Sequence, residues 1–140
     1  MAQSIEAPTE NDVNEIARQL VHAQSLVRGI TGSALTGAMS DLNLLQQVLN
    51  SNSVPPDATY SLQSFGIAFG KVFVENNPGY DWWMVEDEYG RDPAVRFGQT
   101  SLLSFPRTMI SKRIEDGAPV DVLDLYVSLV ADLARIRSQH

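Results

Sequence analysis

The sequence predicts an α+β fold: a three-stranded antiparallel meander, about residues 80–105, packed with N-terminal and C-terminal helices. Three observations predict it. Apolar residues recur at three- and four-residue steps before residue 76 and again after residue 121. Directly after Asn76-Asn77-Pro78-Gly79, the composition of Tyr80–Glu86 switches to aromatic and β-branched residues. Two further short apolar runs, 94–97 and 101–105, follow turns too brief for anything but antiparallel connection.

Each element has a local reason. Thr9 caps a helix over 9–28, with Glu10, Asp12 and Glu15 near its positive end. Its apolar stripe is Val13, Ile16, Ala17, Leu20, Ala23 and Val27; Asn11, Glu15, Arg18, His22 and Ser25 line the opposite side. Gly29 supplies a stop. A shorter helix opens at Ser40 or Asp41 and carries Leu42, Leu45, Val48 and Leu49. The prolines of Asn50–Asp57 break the pattern. Thr59 then caps a third helix reaching about Glu75. Gly66 and Gly70 share its apolar side, which calls for another element packed unusually close. Pro106 starts a fourth helix, 106–116, ended by Gly117. Asp121 starts the last, which runs towards Arg137. So much of that helix is apolar that it is either covered on two sides or meets another copy of the chain.

Composition sets the bounds. The 140 residues suit one folded domain, expected over 9–138 after a flexible N-terminus, 1–8. Net charge is −7 and the isoelectric point is near 4.6, which argues against nucleic acid and anionic membrane as partners. There is no cysteine, hence no disulfide and no thiolate chemistry. The opening MAQSIEAPTEND lacks the charged and apolar regions of a secretory signal, and no apolar run is long enough to span a membrane. A cytoplasmic protein is expected.

Candidate chemistry concentrates in two places. Asp81, Glu86, Asp87, Glu88 and Asp92 bring five carboxylates together. They could hold a hard cation or serve as an acid–base pair, but the spacing is not that of an EF-hand and Arg91 competes for the same oxygens. A salt-bridged turn is the favoured reading, with no metal and no cofactor expected. Arg107, Thr108, Ser111, Lys112 and Arg113 form the basic counterpart. Lys112 and Arg113 suit ion pairs with Asp87, Glu88 or Asp92 better than an anion pocket at the start of their helix. Histidine catalysis has little to work with: His22 reads as a surface residue and His140 ends the sequence. No phosphate-loop, dinucleotide or nucleophile-elbow motif occurs. Trp82 and Trp83 are neighbours on a strand and therefore point to opposite faces, one into the core and one outward. An outward tryptophan is a frequent interface anchor.

The run Trp83-x-Val85-x-Asp87-Glu88-Tyr89-Gly90-Arg91-Asp92-Pro93 is followed by Phe105-Pro106 and Thr108-Met109-Ile110-Ser111-Lys112-Arg113-Ile114-Glu115. Together with the upstream Leu62-Gln63-Ser64-Phe65-Gly66-Ile67-Ala68-Phe69-Gly70, it resembles a bacterial domain-of-unknown-function family of small soluble proteins. The resemblance covers about residues 59–126. It implies no reaction or cofactor, but it implies that the acidic turn and the Ser-Lys-Arg helix meet in space.

The expectation is therefore a non-catalytic protein–protein interaction module, for instance an acidic inhibitor or immunity-type partner covering a basic surface. Its candidate surface is Trp82, Trp83, Glu86, Asp87, Glu88, Arg91, Asp92, Ser111, Lys112 and Arg113. The alternative is a ligand-binding domain or carboxylate-based enzyme using turn 86–92 with Lys112 or Arg113. The C-terminal helix is the candidate contact for a homo-oligomer.

Overall fold

A computed structural model describes residues 3–139; Met1, Ala2 and His140 lie outside the described residues. The order is β1 (Ser4–Glu6), α1 (Glu10–Thr31), α2 (Ser40–Asn50), α3 (Thr59–Asn76), β2 (Tyr80–Asp87), β3 (Gly90–Phe97) and β4 (Leu103–Ser104). A 3-10 turn (Pro106–Thr108), α4 (Met109–Glu115) and α5 (Val122–Ser138) complete it. The fold is α+β with an antiparallel sheet in the order β1-β2-β3-β4.

Among the described residues the sheet has four strands, not three. Ser4–Glu6, expected in a flexible N-terminus, pairs with Met84–Glu86 as an edge strand. Three residues are too few to show an alternating pattern, so the strand leaves no signature of its own. The β2–β3 hairpin is longer than expected, pairing Tyr80 with Phe97 at one end and Asp87 with Gly90 at the other. β4 shrinks to two residues.

The first helix also differs. It passes through Gly29 and ends at Gly32, whose φ of 76° places it in the left-handed region and whose N–H reaches the Arg28 carbonyl. At its start, Thr9 forms a capping box with Asp12. The buried side carries Gln19, Ala23 and Val27, while Val13 and Val21 are 53% and 69% exposed. The third helix begins at Thr59 without a side-chain cap, and the expected fourth helix opens as the 3-10 turn before α4.

The core forms around α3. Every residue from Ser64 to Gly70 is buried, and Phe65, Phe69 and Phe73 are among the largest enclosed side chains. Edge-on aromatic contacts join Phe73 to Tyr80 at 4.8 Å and to Tyr126 of α5 at 6.2 Å. The glycine pair explains how the chain returns from the sheet. A Cβ on Gly66 would lie 2.4 Å from the Arg107 carbonyl oxygen, and one on Gly70 would lie 2.6 Å from the Trp82 ring. Pro106 and Arg107 therefore press directly on the α3 backbone.

That contact yields a paired expectation. Gly66→Ala meets backbone that cannot rotate away and lowers unfolding free energy by about 1–3 kcal/mol. Gly29→Ala meets nothing within 4 Å, sits inside a helix and raises stability by ~0.5–1 kcal/mol. Urea denaturation of both variants checks the contrast.

Candidate functional site

The β2–β3 hairpin brings the acidic turn beside the 3-10 turn and α4, and the register sorts its charges onto two faces. Val85 pairs with Asp92 and Asp87 with Gly90, so Asp87 and Asp92 share one face. Glu86 pairs with Arg91 on the other.

Arg91 gathers the N-terminal elements. Its guanidinium donates from Nε and Nη2 to the Asp12 carboxylate, at 3.1 and 2.6 Å. It also contacts Glu6 of β1, and Glu86 at 3.7 Å. Asp12 thus caps α1 and pairs with the hairpin at once. Its hydrogen bond with Arg91 holds that carboxyl well below the ordinary carboxylate range, against a desolvation effect of opposite sign.

Asp92 has a different partner. Its Oδ1 lies 2.8 Å from Nε of Arg107, with roughly a quarter of each side chain exposed. The two atoms are buried, and their alignment makes an ion pair rather than a well-directed hydrogen bond. Desolvation pushes the Asp92 carboxyl up; Arg107 and then Lys112 offset part of the effect.

The hairpin and the later helix do meet, but Arg107, rather than Lys112 or Arg113, makes the pair. Lys112 is exposed and lines the same depression as Asp87, Asp92 and Arg107. The Arg113 guanidinium turns back to the Met109 carbonyl at 2.9 Å. Ser111 is buried, its hydroxyl 3.5 Å from the Thr108 carbonyl. Asp87 accepts the Tyr89 N–H at 2.8 Å and so closes the turn. Glu88 is exposed, and Tyr89 is 91% exposed at the tip. Val85 and Phe105 floor the depression, which encloses about 370 Å³.

The tryptophans separate as strand geometry requires. Trp82 packs on Gly70 in the core, whereas Trp83 lies on the opposite face with the Arg96 guanidinium 4.5 Å above its ring. By register, that face also carries Ile5, Val85, Ala94 and Leu103. Val85 and Ala94 are buried under neighbours there and lie outside the main core. Sequence reasoning missed Ile5, Leu103 and Phe105 on this face, and Glu6 and Asp12 as partners of Arg91. His22, read as a surface residue, is half-buried with its Nε2 2.8 Å from the Ser61 hydroxyl. Among the described residues, no three His, Asp or Glu side chains are grouped to hold a metal ion. No described helix is long and apolar enough to cross a membrane.

Comparison with known proteins gives a family and a fold. The model of a domain of unknown function, DUF3806, matches residues 41–126. A crystal structure of a protein from Bacteroides thetaiotaomicron VPI-5482 superposes with a TM-score of 0.86 at 17% identity, over 93% of this chain. The match spans 48% of the other chain, so the present sequence accounts for about half of that protein's length. At that identity the likeness shows the fold. No curated protein matches.

Two titration experiments follow from these pairs. Because the folded-state pKa of Asp12 is depressed, its stabilisation is present above 3.8 and is lost as pH falls below that value. Arg91→Ala therefore lowers the melting temperature at pH 7, and the gap to the wild type narrows below 3.8. Asp92 has the opposite sign: its pKa is raised, so ionising it costs stability as pH rises through the folded value. Arg107→Ala leaves that carboxylate without its partner and costs about 1–2 kcal/mol at neutral pH. Adding Asp92→Asn recovers part of the loss in denaturant titrations.

Proposed function

We propose that this chain, which belongs to the DUF3806 family, is a non-catalytic protein–protein interaction module. It docks the outer face of its sheet on a basic surface of another protein. The observation that carries this reading is the one-sided sheet. Tyr80, Trp82 and Phe97 face α3 and α5, whereas Ile5, Trp83, Leu103 and Phe105 stand half-exposed on the opposite side. A half-exposed tryptophan among aliphatic residues suits the apolar centre of an interface.

Charge supports the choice of partner. Arg96, one cation on that face, spends its guanidinium on the Trp83 ring and on the Gln99 and Thr100 carbonyls. Arg107 is paired with Asp92, and Lys112 stands exposed at the hairpin end. Asp81 and Glu88 are exposed and without an ion pair among the described residues. An acidic rim around an apolar centre accelerates encounter with a basic patch. The cytoplasm is the compartment we infer as the default, and the absence of cysteine does not contradict it.

A second reading rests on the depression beside that face. Asp87, Asp92 and Lys112 line it together, so a small ligand with both charges, or carboxylate chemistry, has groups to work with. Arg113 is turned away from it and takes no part.

Affinity capture from the native host tests the first reading, using the wild type, Trp83→Ala and Tyr89→Ala as baits. The expected result is one reproducible basic protein, released by salt and bound at least tenfold more weakly by both variants, with Tyr89→Ala within about 0.5 kcal/mol of wild-type stability. A capture that both variants retain in full overturns the sheet face as the binding surface.

A further inference from the structure

We infer that α5 pairs with α5 of a second copy of this chain, antiparallel, as a two-fold dimer contact distinct from the sheet face. Tyr126 and Leu133 of α5 are buried against the core. A second line lies about a quarter-turn round the same helix: Leu123, Val127, Val130 and Ala134, spaced 4, 3 and 4 residues apart. Leu123 and Val127 are 57% and 56% exposed, Val130 is half-buried and Ala134 is exposed.

A two-fold contact requires one surface to complement itself, so a knob at one end must find a hole at the other. This line meets that condition in shape. Leu123 projects at the N-terminal end. Ala134, a small side chain, lines a groove of about 930 Å³ at the C-terminal end, whose apolar part is completed by Leu102 and by Phe97, the latter with the Arg137 guanidinium 3.8 Å over its ring. An antiparallel partner sets its Leu123 beside Ala134 and its Val130 beside Val127.

The condition is met in charge as well. Asp121 and Asp124 stand at the N-terminal end, Arg135 and Arg137 at the C-terminal end. Asp124 and Arg135 lie on the solvent side of the apolar line, and the pairing that seats Leu123 brings them within reach across the two-fold axis. A parallel pair would set knob against knob and would leave Asp124 and the partner's Arg135 at opposite ends of the contact. Within one chain Arg135 also contacts Asp132, at 3.2 Å between two largely exposed side chains. Such a contact yields readily to a better-placed carboxylate.

Sedimentation velocity on the full chain across a concentration series tests the contact. The expected result is a reversible dimer, weakened at least tenfold by Asp124→Arg or by Arg135→Asp and restored by combining them. Because the chain has no cysteine, introduced thiols report orientation directly. Leu123→Cys with Ala134→Cys gives a covalent dimer on mild oxidation, whereas Leu123→Cys alone does not. A monomer at every concentration overturns the proposal. So does a dimer that both single charge reversals leave intact, or a covalent dimer from Leu123→Cys alone.

Discussion

The close approach of Pro106 and Arg107 to Gly66 and Gly70 is the constraint on which the architecture turns. A strand leaving the sheet must cross onto α3, and the crossing point sits where the helix has no side chain to hold it off. Trp82 and Pro106 then occupy the space over Gly70, which joins sheet and helices in one core. The same crossing delivers the Arg107 side chain to Asp92. An uncharged packing contact thus decides which cation the acidic hairpin receives.

The two ion pairs divide the work. Arg91 holds the start of the chain, since β1 and the cap of α1 reach the hairpin through the same guanidinium. Arg107 holds the other edge, where β3 meets the 3-10 turn. Neutral amides do similar work elsewhere. Gln46 of α2 accepts the Val122 N–H at 2.7 Å and donates to the Val120 carbonyl at 3.1 Å, seating the start of α5. Gln24 does the same for Leu35, using both ends of its amide. These links fix loops that carry little apolar surface of their own.

The long elements were legible because periodicity and punctuation agreed. Ser40 opens α2, Asp121 caps α5, and the tryptophan strand follows its Asn-Pro-Gly turn as the composition indicates. The glycine pair was readable as a close approach, though not what approaches. What escaped needed three dimensions. β1 has too few residues to show a pattern, and Gly29 resembles a stop until Gly32 supplies the left-handed geometry. The ion pairs were expected between the right regions but with the wrong cations. Lys112 and Arg113 are prominent in sequence, whereas Arg107 gains its place only from the crossing over α3. The outer sheet face was half visible in Trp83; Ile5 and Leu103 belong to it through strands that the sequence did not reveal or overextended.

The adjacency of Trp82 and Trp83 has an optical consequence. One indole packs, partly buried, against Gly70 and the core, and the next, on the reverse of the same strand, lies beneath a guanidinium at the water boundary. The protein therefore contains two fluorophores one residue apart in unlike surroundings. Removing either leaves a single-channel reporter, one sensitive to melting of the interior and the other to whatever comes to rest on the outside.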